Sequence, residues 1–150
     1  MRLSQSNTNA MLGDSYKRQH EAWRRAYADT QSLRERFPQV EQLAVHMTFT
    51  DEKGVGKCSA QMRSMSASAK AFLATPCPRT LCLDGGFDLD AIVLDLLGSG
   101  EPASAGVLQC RGWLDPRRVD HARCLLQMHY RIEVLYVASE PGAARRRVRI

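Results

Sequence analysis

Long apolar runs are missing from this 150-residue chain: the most strongly apolar stretches are Ala91–Leu94 and Val134–Ala138. Neither approaches the ~18 residues a membrane-crossing helix needs, so no spanning helix is expected. The opening residues, Met1-Arg2-Leu3-Ser4-Gln5-Ser6-Asn7, lack the apolar core of an export signal. The expected location is therefore cytoplasmic, where stable disulfides are not expected. The chain has no Gly-x-x-x-x-Gly-Lys-Ser/Thr loop, no Gly-x-Gly-x-x-Gly and no His-Glu-x-x-His, which removes the common sequence signatures of phosphate, dinucleotide and zinc-protease sites. It also lacks an internal repeat of solenoid length.

What is present is a composition of 44% hydrophobic and 25% charged residues, that of an ordinary globular domain. The length suits one domain. The net charge of +5 is unevenly placed. Residues 1–38 carry +3 (seven basic, four acidic), residues 39–138 carry −1 (ten and eleven), and residues 139–150 carry +3 (four and one). The body is thus close to neutral, and basic attraction to nucleic acid would have to come from the ends.

The pattern along the chain predicts a disordered lead over 1–13, a single domain over 14–138 and a basic flexible tail over 139–150. Tyr16, Trp23, Tyr27, Thr30, Leu33 and Phe37 recur at helical steps, which predicts one amphipathic helix over 14–37 stopped by Pro38 and packed on a sheet. From Leu43 the period becomes two: Leu43, Val45, Met47 and Phe49 share one face of a strand over 43–50. Turn residues at 51–56 and a weaker alternation at Cys58, Ala60 and Met62 predict a hairpin. Residues 69–74 read as a helical turn or two before Pro76. Leu89, Ile92, Val93, Leu96 and Leu97 predict a short helix over 88–97, capped by Asp88 and ended by Gly98. A third strand is expected over 107–114. The clearest runs over 126–136, where Leu126, Met128, Tyr130, Ile132, Val134 and Tyr136 alternate with mostly polar residues. The fold expected is α+β: a mainly antiparallel four-stranded sheet with a long N-terminal helix and a short second helix on one face.

The chemistry-bearing residues are the five cysteines, Cys58, Cys77, Cys82, Cys110 and Cys124. Cys77 and Cys82 flank four residues of a Pro/Gly-rich loop, and Cys110 and Cys124 flank thirteen. Two thiolate pairs would meet the tetrahedral preference of zinc. The candidate metal ligands are therefore Cys77, Cys82, Cys110 and Cys124, with His121 able to replace one of them. Burial as ordinary thiols and a redox pair of Cys77 with Cys82 are the alternatives. Cys58, on the first hairpin, is left out.

Cys77-Pro78-x-x-x-Cys82, Gly85-Gly86-Phe87-Asp88-Leu89, Cys110-x-Gly112 and Cys124 followed by Tyr130-x-Ile132 resemble a group of small uncharacterised bacterial proteins with a zinc-ribbon-like cysteine set. The resemblance covers about residues 40–137 and implies a two-pair metal site but no activity. Its knuckle is wider than that of an ordinary zinc ribbon.

Other candidates have simpler readings. Gly54-Val55-Gly56-Lys57 looks like a fragment of a phosphate loop between two strands. Asp84, Asp88, Asp90 and Asp95 are close in sequence, with Asp88 a helix cap. His46 and His129 fall on the polar faces of two strands, and Arg145–Arg149 could grip phosphate. No catalytic residue is assigned. The function expected is a small non-enzymatic binding or adaptor protein with a protein partner, stabilised by a structural zinc. A thiol-dependent redox protein using Cys77 and Cys82, or a nucleic-acid-binding protein using the basic ends, are the alternatives.

Overall fold

The structure, a computed structural model, describes residues 17–51 and 57–138, with the side chains of Lys57 and Cys58 left out. The expected lead, the first residues of the predicted helix, the basic tail with Arg145–Arg149 and the Gly54–Gly56 fragment lie outside the described residues.

Four antiparallel strands form the expected sheet. They are β1 (Val40–Thr50), β2 (Lys57–Ser66), β5 (Ala103–Gln109) and β6 (Gln127–Tyr136), in the order β2-β1-β6-β5. A two-residue pair, β3 (Ala74–Thr75) and β4 (Phe87–Asp88), lies apart from it. The period of two in β1 and β6 sets the register. Leu43 faces Val134, Val45 faces Ile132 and Phe49 faces Met128. Residues directly opposite in an antiparallel pair share a face, and all six are buried. The alternation therefore turns one face of β1 and β6, the two central strands, into core. The other face carries Ala44, His46, Arg131 and Glu133, none of them buried.

The inner face is covered by α2 (Leu33–Arg36), by α3 (Asp90–Ser99) and by the irregular chain between Ala71 and Leu89. Leu33 and Phe37, at the α2 end, and Val93 and Leu96 of α3 join the same core. Phe87 tilts against Phe49 with ring centroids 5.6 Å apart. The single helix predicted over 14–37 is instead two. The first, α1, spans residues 17–29. The chain then extends long enough for Leu33 and Ala71 to bond backbone-to-backbone with Ala69 and Gln31, at 2.7 and 2.8 Å. Ser32 restarts it as α2 through a capping box: Ser32 Oγ accepts from the Glu35 N–H at 3.2 Å, and Glu35 Oε1 accepts from the Ser32 N–H at 3.4 Å. Such reciprocal bonds satisfy first-turn donors and favour a new helix start over continuation.

The break corrects the packing expected of the first helix. Leu33 and Phe37 are core, but α1 is exposed along most of its length and rests on a loop rather than on the sheet. Trp23 and Tyr27 meet Phe72 edge-on, with centroids 5.8 and 5.6 Å away. Lys70 Nζ donates to the Ala28 carbonyl at 2.7 Å.

Three further boundaries move. Residues 69–74 are extended, ending in β3, because their backbone bonds go to the 31–33 segment and to β4. The second helix starts at Asp90 and ends at Ser99, two residues later than predicted, with Gly100 as its C-cap; the Gly100 φ of 71° is the left-handed conformation that glycine takes readily. Asp88 still serves it, its Oδ1 accepting from the Asp90 N–H at 2.9 Å. Finally, the strand expected over 107–114 is β5, shifted to Ala103–Gln109, so Cys110 stands just past its end.

Candidate metal centre

Two loops carry the cysteines. The first leaves β3 at Pro76 and reaches β4, with Cys77 at its start and Cys82 held by a bond from its N–H to the Arg79 carbonyl, 3.1 Å. The second joins β5 to β6. There the ladder continues beyond the strands: the Cys110 N–H donates to Leu126 O at 2.8 Å, and the Cys124 N–H to Gly112 O at 2.8 Å. These bonds set Cys110 and Cys124 beside each other although thirteen residues separate them.

The two loops meet, and their four sulfurs lie within 4.8 Å of one another, a group that could hold a metal ion. Cys77 Sγ is 3.7 Å from Cys124 Sγ, and Cys82 Sγ is 3.6 Å from Cys110 Sγ. A disulfide needs ~2.05 Å, so these are four free thiols. A tetrahedral ion with bonds of ~2.3 Å sets sulfurs ~3.8 Å apart, which matches both short contacts. Cys82, Cys110 and Cys124 are 2%, 0% and 1% exposed, and Cys77 is half-buried.

Four sulfurs packed so closely cannot all be ionised without a cation, because each thiolate disfavours the next. Their proton affinities split accordingly. Cys82 and Cys77 are pushed up, first through the Cys110 sulfur and then through Cys124. Cys124 is pushed down because the sulfurs of Cys110, Cys77 and Cys82 hydrogen-bond its thiolate. A divalent cation would remove that conflict.

Two glycines leave room for the cluster. A Cβ on Gly85 would collide with Cys82 Sγ and sit 2.6 Å from Cys110 Sγ. A Cβ on Gly112 would collide with the same Cys82 sulfur and sit 2.7 Å from Gly85 Cα. Arg79 spans the loops, its Nη1 donating to Cys124 O at 2.6 Å and to Cys124 Sγ at 3.5 Å. Gln19 of α1 clamps the first loop from outside, accepting from the Asp84 N–H at 3.0 Å and donating to Gly85 O at 3.3 Å.

All four cysteines proposed from spacing are therefore brought together. His121 is not part of the group; it sits exposed on a 3-10 turn, Asp120–Ala122. The four acidic residues do not form an acid–base site, since three have local roles: Asp84 pairs with Arg118 at 2.6 Å, Asp90 with Arg36 at 2.9 Å, and Asp88, one residue before the Leu89 N-cap rather than the cap itself, accepts from the Asp90 N–H. His46 and His129 are diagonal rather than opposite, facing Arg131 and Thr48, and His129 Nε2 meets Thr50 Oγ1 at 3.1 Å. Sequence reasoning missed Arg79 and Gln19, for which a loop arginine and a helix glutamine give no signal. The glycines were visible as Cys-x-Gly and Cys-x-x-Gly spacings.

No protein-family model, curated protein or solved structure matches the chain. Among the described residues, no helix is long and apolar enough to cross a membrane.

Proposed function

We propose that this chain is a small non-enzymatic binding or adaptor protein whose two cysteine loops are fastened by one structural zinc ion on Cys77, Cys82, Cys110 and Cys124. The observation that carries the reading is the spacing of the sulfurs, all within 4.8 Å and paired at 3.7 and 3.6 Å. A closed set of four thiolates suits a structural rather than a catalytic ion, which would keep a position for water. Zinc suits sulfur ligands and tetrahedral geometry. The binding role is supported by α1, which is exposed along most of its length and so offers a surface to a protein partner.

The redox alternative needs Cys77 and Cys82 to meet each other. The shortest sulfur contacts run across the loops instead, Cys77 to Cys124 and Cys82 to Cys110, which favours a shared ion. The nucleic-acid alternative rests on the chain's ends, much of which lies outside the described residues. Retention on nucleic acid that falls with salt would support it. The zinc reading is tested by replacing the ion with Co²⁺. The expected result is the intense sulfur-to-cobalt and tetrahedral d–d absorption of a four-thiolate site, bleached by zinc. A spectrum of octahedral, oxygen-bound cobalt would overturn it.

A further inference from the structure

Resting on the metal reading, we propose that Cys77 is the nucleophilic sulfur of the centre, a one-time acceptor of alkyl groups from small anionic electrophiles. Three of the four sulfurs are sealed in the core, and Cys77 alone is half-buried. Two of the sealed sulfurs are also bound more heavily than Cys77. Cys110 accepts from the backbone N–H groups of Gly86, at 3.4 Å, and Gly112. Cys124 accepts from the Arg79 guanidinium and the Leu126 backbone. Cys77 accepts from the Arg79 backbone N–H. Each N–H bond draws charge from a thiolate and blunts it as a nucleophile.

Cys77 opens on a cavity of about 270 Å³ lined also by His20, Arg63, Thr75, Arg79, Thr80 and the 2%-exposed Cys82. No aspartate or glutamate lines it among the described residues. The Arg63 guanidinium donates to Ala74 O at 3.2 Å and Thr75 Oγ1 at 3.1 Å, both uncharged, so no carboxylate is set against its charge there. A tetrathiolate zinc centre has a net charge of −2, which would repel an anion approaching Cys77. The guanidiniums of Arg63 and Arg79 offset that charge and leave a place for an anionic group beside the sulfur.

The step balances without an oxidant. The Cys77 thiolate attacks the electrophilic carbon, the S–C bond forms as the bond to the leaving group breaks, and the leaving group departs with the electron pair. The thiolate becomes a neutral thioether, and no proton moves. The centre loses one negative charge, so each chain reacts once.

The test uses the full chain with Cys58→Ser, purified with its metal and treated with one equivalent of iodoacetate or iodoacetamide. Zinc is measured on the same sample, and the label is placed by peptide mass mapping. The label is expected on Cys77. The iodoacetate-to-iodoacetamide rate ratio should exceed that of free cysteine about tenfold, the lower end of what charge-lined clefts give. Arg63→Gln should lower the ratio toward that of free cysteine, and Arg63→Lys should keep most of it. Label first on Cys82, Cys110 or Cys124, or a wild-type ratio equal to that of free cysteine, overturns this inference while the zinc content leaves the metal reading standing. A zinc-free native sample overturns both.

Discussion

Leu83 and Trp113 exchange both of their backbone hydrogen bonds, at 2.8 and 2.9 Å. This one antiparallel bridge ties the loop of Cys77 and Cys82 to the loop of Cys110 and Cys124, one residue beyond Cys82 and three beyond Cys110. Arg123 stacks its guanidinium 4.0 Å over the Trp113 ring and braces the bridge from the far side of the second loop. The cysteines are thus arranged by backbone bonding, and an ion need only join sulfurs already close together.

That arrangement depends on Gly85 and Gly112. Gly112→Ala should push the Cys82 sulfur out of place and separate the loops, because overpacking of this kind costs ~1–3 kcal/mol and cannot be relieved against backbone. The expected outcome is a loss of bound zinc with the strand content kept, read by elemental analysis and circular dichroism. Normal zinc content in both Gly85→Ala and Gly112→Ala would contradict the packing described.

The sheet and α1 should differ sharply in what they contribute. Phe49 is fully buried in the sheet core, and Phe49→Ala should cost ~3–5 kcal/mol in denaturant unfolding. Trp23 meets Phe72 edge-on and packs over Gly86 from a half-buried position, so Trp23→Ala should cost less than Phe49→Ala, with ~1 kcal/mol from the aromatic contact. Equal losses would mean that α1 is part of the core.

The helix restart at Ser32 has its own test. Ser32→Ala removes the acceptor for the Glu35 N–H and should destabilise the domain by ~1 kcal/mol. The melting temperature would report it, and an unchanged melt would show that the cap contributes nothing.

Much of this fold was legible because the sheet is half-buried. One face of β1 and one of β6 must be apolar, so the period of two marks the strands and their shared face. The same logic misled at the first helix. The stripe from Trp23 through Leu33 to Phe37 is continuous in helical spacing, yet Leu33 and Phe37 face the sheet while Trp23 and Tyr27 face a loop. The signal that separates them, Ser32 followed three residues later by Glu35, is local and was outweighed by the longer stripe. Residues 69–74 failed for a different reason: Ala, Phe and Leu suit a helix, but their backbone partners come from residues 31–33 and from β4. At the metal centre, spacing named the four sulfurs. The residues that position them act through backbone atoms and missing Cβ atoms, which side-chain pattern does not reveal.

Zinc affinity should fall as pH falls. In the empty site Cys77 and Cys82 hold their protons at neutral pH, pushed up first by the Cys110 sulfur. Both must leave when the ion binds, so the apparent affinity should drop about a hundredfold per pH unit as acid is added and rise as alkali is added. Competition against a chelator across neutral pH measures the slope. A pH-independent affinity would mean that the sulfurs are not the ligands.

The central claim is that one ion joins Cys77, Cys82, Cys110 and Cys124. Elemental analysis of protein purified without added metal or chelator, paired with a free-thiol count before and after denaturation in chelator, tests it most directly. The account predicts one zinc per chain, with Cys82, Cys110 and Cys124 becoming reactive only once the zinc is removed and Cys77 the one ligand that reacts before. A chain free of zinc, with those thiols equally reactive before and after chelator in denaturant, would contradict it.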